Sequence, residues 1–81
     1  MNDKQLQAAA ICIIHAIARN AKLNDAIEVA AFSELGKLKL SEADLLQPLQ
    51  AAKLFCECNG LKLTKHIDAK LREIINEQEL V

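Results

Sequence analysis

Five residues carry the sharpest chemistry this chain offers: Cys12, His15, Cys56, Cys58 and His66. Thiolate and imidazole are the ligands of tetrahedral zinc, and any four of the five would complete such a site. Cys12 and His15 stand three apart, the spacing of one helical face, while Cys56, Cys58 and His66 cluster around the pair Asn59-Gly60. The detailed spacing argues against convergence. Cys-x-Cys is not the common Cys-x2-Cys loop, two helical residues two apart point about 200° apart, and Cys12 lies in an apolar run. A structural zinc site is therefore the minor alternative. The expectation is small buried thiols, ordinary histidines, no metal and no cofactor. An odd number of cysteines in no secreted spacing points to reduced thiols and a cytoplasmic setting.

Catalytic equipment is thin. A cysteine nucleophile needs a base and an oxyanion stabiliser in a loop-built cleft, and this chain has few loops and no Gly-rich turn. No phosphate-cradling glycine pattern, zincin His-Glu spacing or serine elbow occurs, so a non-enzymatic protein is expected. One stretch, FCECNGLKLTKHIDAKLRE at residues 55–73, imitates a helix-turn-helix around Gly60. Lys62, Lys65, Lys70 and Arg72 would there aim positive charge at a nucleic-acid backbone. Against it stand the polar Asn59 and His66, where that motif prefers apolar packing, and the acidic residues Glu73, Glu77 and Glu79. Formal net charge is −1, so no whole-molecule field draws the chain to polyanions. Nucleic-acid contact is the alternative reading, and a solvated charged face explains the same lysines.

The elements that must position these residues are helices. Ala, Leu, Ile, Lys, Glu and Gln dominate, with only two Gly, one Pro and 2% aromatics. Asn2 with Gln5 forms a capping-box pattern ahead of a helix over residues 3–20. Asn24 or Asp25 offers a second cap, and Gly36 suits a left-handed stop. Ser41 with Asp44 opens a third helix that meets Pro48 after about two turns, which predicts a kink or a split there. Asn59-Gly60 ends it, Thr64 caps the next, and Ile67, Leu71, Ile74 and Ile75 draw one stripe through a last helix over residues 65–78. The fold class is thus all-α, a compact bundle of four to five helices in one domain spanning residues 1–81.

Three echoes punctuate it: Lys22-Leu23-Asn24, Leu38-Lys39-Leu40-Ser41 and Leu61-Lys62-Leu63-Thr64. Each places a leucine and a capping residue where a helix begins. The two Leu-Lys-Leu copies also alternate as a short two-stranded bridge would.

The run AAAICIIHAIA at residues 8–18 has the most consequence. Its Ala-Ile-Ala end imitates a signal-peptidase site, but the leader MNDKQ is not a basic n-region and the run is far short of the ~20 residues that span a bilayer. A soluble helix apolar around its whole circumference must be buried on nearly all sides. A chain of 81 residues, which buries only about 60–65% of its unfolded surface, has little to bury it with. A second copy could, so Ala8, Ala9, Ile13, Ala16 and Ile17 are expected at a homodimer interface. The function read from the sequence is that of a small adaptor, inhibitor or antitoxin-like protein that binds itself and a protein partner.

Overall fold

The computed structural model describes residues 1–22 and 25–79. Four helices occupy them: α1 (Asp3–Asn20), α2 (Ala26–Lys37), α3 (Glu42–Cys58) and α4 (Lys65–Glu79). Among the described residues there is no strand, so the two Leu-Lys-Leu segments do not pair.

The capping box forms as the sequence predicts. Asn2 Oδ1 accepts from the Gln5 amide and Gln5 Oε1 accepts from the Asn2 amide, each at 2.9 Å. The other end of the Gln5 amide settles the fate of Pro48. Pro48 lies inside α3, which is one helix rather than the two of the split-helix expectation. Proline has no N–H to give the carbonyl four residues back, so the Asp44 oxygen loses its helical partner. Gln5 Nε2 donates to that oxygen at 2.9 Å. One side chain therefore caps α1 and satisfies the acceptor that Pro48 leaves open in α3.

A second amide ties the far ends. Asn20 Nδ2 donates to the Lys62 carbonyl at 2.9 Å and to the Ala16 carbonyl at 2.7 Å, and Asn20 Oδ1 accepts from the Lys62 amide at 3.3 Å. With Gln5 beside the start of α3 and Asn20 beside the segment after its end, α1 and α3 run side by side in one direction. Their contact is the most extensive between any two helices. The buried residues of α1 are all small, Ala8, Ala9, Cys12 and Ala16, and those of α3 are Leu45, Pro48, Leu49, Ala52 and Cys56. Small side chains four apart let two backbones approach closely, and dense packing of that kind leaves no room for larger ones. One apolar cluster draws on all four helices, with Leu35 from α2 and Ile67, Leu71 and Ile74 from α4.

Helix ends show where local signals held and where they failed. Ser41 Oγ accepts from the Asp44 amide at 3.2 Å, as expected of a cap. Gly60 is left-handed (φ 67°), and the bonds Gly60 N to Glu57 O (3.4 Å) and Leu61 N to Cys56 O (2.8 Å) close α3 in a Schellman turn. Gly36 does not stop α2; it lies within the helix, and Lys39 takes the left-handed conformation (φ 54°) with its amide on the Gly36 carbonyl. Lys22 (φ 62°) does the same after α1. Two of the three echoes therefore contain a lysine that turns the chain out of the preceding helix, and Gly60 has that role before the third. Leu23 and Asn24 lie outside the described residues. Asp25 makes no side-chain cap for α2, because its carboxylate is 3.0 Å from Arg19 instead.

Candidate functional site

The cysteines and histidines are not brought together. Cys12 and Cys56 are buried across the α1–α3 seam, near enough that burial, with the neighbouring Cys56 adding to it, pushes the Cys12 thiol up to about 12. A thiol raised that far stays protonated at neutral pH and is a poor nucleophile. Cys58 is exposed at the end of α3. His15 is turned toward α2, its Nε2 3.3 Å from Glu34, and His66 Nδ1 lies 3.3 Å from Glu28. Four ligands of the five never converge, because the two histidines answer to carboxylates of α2.

A different set of carboxylates does meet. Glu42 at the start of α3 and Glu73 and Glu77 on α4 place carboxylate oxygens within 4.8 Å of one another, all exposed. Lys70 stands among them, 3.0 Å from Glu42 and 3.8 Å from Glu73. Its bond to Glu42 raises its pKa, while Glu42 falls under hydrogen bonds with Glu77 and Lys70 and Glu77 rises beside Glu42. The grouping was not legible beforehand, since it needs the start of one helix to meet the end of another. It also corrects the basic set: Lys70 is committed to this acidic corner and does not join Lys62, Lys65 and Arg72.

Those three line an open cleft of about 720 Å³ at the opposite end of α4. Arg19 from the end of α1 and Lys53 from α3 bring its cations to five, against the carboxylates Glu28, Glu57 and Asp68. Several are already engaged. Arg19 lies 3.0 Å from Asp25 and 3.1 Å from Glu28, and Asp68 is 3.1 Å from Arg72 and 3.6 Å from Lys53. Hydrogen bonds from Arg19 and His66 overcome the burial of Glu28 and hold its carboxyl below the usual range. Asn20, Leu61, Leu63, Cys56 and Thr64 complete the lining.

The third feature is the outer side of α1. Ala8, Ala9 and Ala16 are buried in the chain's own interior, where α1 packs on α3 and α2; Ile13 is half-buried against the core. Of the five residues expected at an interface only Ile17 is freely exposed, so they do not form one surface. The physical reason is that the chain's own helices cover the alanine face, which the sequence alone could not supply. What remains outside is larger: Leu6 (52% exposed), Ile14 (62%) and Ile17 (49%), with Ala10 between them. At 100° per residue Leu6, Ala10, Ile14 and Ile17 fall within about 80° of the helix circumference. Leu54 and Phe55 of α3 are also exposed. Among the described residues no helix is long and apolar enough to cross a membrane. No protein-family profile, curated protein or solved structure matches the chain.

Proposed function

We propose that the protein is a non-enzymatic interaction module that associates through the outer face of α1, pairing with a second copy of itself and acting by binding a protein partner. One observation carries the reading. α1 turns its smallest side chains, Ala8, Ala9, Cys12 and Ala16, toward the core and its large aliphatics, Leu6, Ile14 and Ile17, toward solvent. A helix of a self-sufficient monomer has the reverse arrangement, because apolar area removed from water is the dominant stabilising term. A second copy suits the face. It carries no charged group between Leu6 and Ala18, so the same patch meets itself across a twofold axis without like charges opposed.

The test is sedimentation of the wild-type chain beside Ile14→Asp and Ile17→Asp, each at a site already exposed in one copy. The expected result is a wild-type species of twice 8.9 kDa and variants that keep their helix content but sediment as single chains. A wild type that stays a single chain at high micromolar concentration would overturn the self-association.

A further inference from the structure

We infer that the protein partner docks where the end of α2, the start of α3 and α4 meet, through a basic amphipathic segment that seats an aliphatic side chain beside Phe32 and an arginine or lysine on Glu42, Glu73 and Glu77. The inference rests on the reading of the chain as a module that binds a protein, and it gives that partner a face separate from the outer side of α1.

An apolar cavity of about 110 Å³ opens there. Leu35 and Leu45, both buried, and the half-buried Leu40 line it, with Phe32 and Gly36 at its exposed wall. It has room for one aliphatic side chain. Phe32 is 44% exposed, and Val29, three residues earlier on α2, is 64% exposed, so apolar surface continues beyond the cavity. An exposed aromatic ring beside an apolar pocket is the kind of residue that anchors an interface.

Gly36 is the part of this wall for which the chain's own fold supplies no reason. It lies inside α2, where glycine weakens a helix relative to alanine. Its φ is not left-handed, and a Cβ there would meet no atom within 4 Å. What the missing side chain provides is a low wall beside the cavity, over which a partner's backbone can approach closely.

The charge beside the cavity selects the partner. Lys70 lines the cavity and also stands in the acidic corner, so the two are contiguous. In that corner three carboxylates against one ammonium leave a net charge of −2, and Glu77 is in no ion pair among the described residues. A second cation, arriving with the apolar side chain, relieves the like charges that the fold holds together. A guanidinium suits the place, since its planar fork can serve two carboxylate oxygens at once. A second copy cannot bring that cation on its α1 face, which has no charged group between Leu6 and Ala18. Lys39 also lines the cavity, which disfavours a segment basic along its whole length.

Fluorescence anisotropy with a labelled alanine-based helix, carrying two leucines and two arginines on one face, tests the docking. Two control helices replace the arginines by glutamates or the leucines by alanines. The helix with both features should bind saturably and about tenfold more tightly than either control. Glu73→Gln with Glu77→Gln, both exposed, should weaken it about tenfold. Gly36→Leu should weaken it as much while raising the Tm, because leucine is the better helix former and its Cβ meets nothing. The Ile14→Asp chain should bind the helix as wild type does, so failure of self-association and failure of this docking are read apart. No saturable binding, a control helix that binds as well, a doubly neutralised chain with unchanged affinity, or a Gly36→Leu chain with lowered Tm or unchanged affinity would each overturn the assignment.

Discussion

The α1–α3 pair and helix α2 are held in opposite ways. α1 and α3 meet through a seam of alanines and cysteines, with Gln5 and Asn20 pinning backbone groups at its two ends. α2 contributes only Ala31 and Leu35 to the buried interior, leaving Val29 and Phe32 in solvent. Polar pairs to its neighbours hold it instead: Arg19 to Asp25 and Glu28, His15 to Glu34, His66 to Glu28. Close packing is insensitive to salt and pH but intolerant of volume, whereas partly exposed ion pairs are the reverse. The seam is therefore the scaffold that fixes the outer face of α1, and α2 is the element that solution conditions can loosen.

That contrast can be broken most severely from the seam. Leu49 is fully buried at its centre, and Leu49→Ala should cost about 2–5 kcal/mol, enough to unfold much of so small a domain in urea titrations. Ala16→Leu, which forces volume between two close backbones, should cost about 1–3 kcal/mol by the same measurement. The Gln5 pin sharpens the point. Gln5→Ala should cost about 1–2 kcal/mol through the lost capping box and the unsatisfied Asp44 carbonyl. In a Pro48→Ala background the restored amide can serve that carbonyl, so the cost of Gln5→Ala should shrink, and a double-mutant cycle in chemical denaturation would read the coupling.

α2 should respond more gently. Glu28→Gln should cost no more than about 1 kcal/mol, because its partner Arg19 is substantially exposed. The pH dependence has a definite sign. The Glu28 carboxyl is lowered from the ordinary 4.5 in the folded chain, so its contribution is complete above that value and is lost as pH falls through the folded pKa. Hydrogen exchange should accordingly show α2 amides opening more readily at pH 3.5 than at pH 6, by a larger factor than amides of α1. Equal factors in both helices would remove the distinction. Smallest of all, Lys39→Gly should stabilise by about 0.5–1 kcal/mol in thermal melts, since glycine relieves a left-handed lysine while adding unfolded-state freedom.

What the sequence disclosed was what neighbouring residues decide. Asn2 with Gln5, Ser41 with Asp44 and Asn59-Gly60 are signals complete within a few residues, and the helices they bound occur where expected. The stripe Ile67, Leu71, Ile74 is likewise a property of one helix, and all three residues are buried. Gly36 misled because the chirality of a turn depends on where the helix ends, and α2 runs past it. Pro48 does not split α3, and the donor to its vacant carbonyl lies 39 residues away in the sequence, which no local pattern encodes. The basic set was half legible: Lys62, Lys65 and Arg72 share the cleft, but Lys70 follows a helix face that meets Glu42. The alanines of α1 were expected against a second copy, and only the folded chain shows that Ala8, Ala9 and Ala16 are buried within it.

The most direct measurement is an isotope-filtered NOE experiment on an equal mixture of ¹³C-labelled and unlabelled chains. Cross-chain contacts among the methyl groups of Leu6, Ile14 and Ile17 are the predicted result. A millimolar sample in which those methyls show no cross-chain contact, with Ile14 and Ile17 still facing water, would contradict the assembly role of α1.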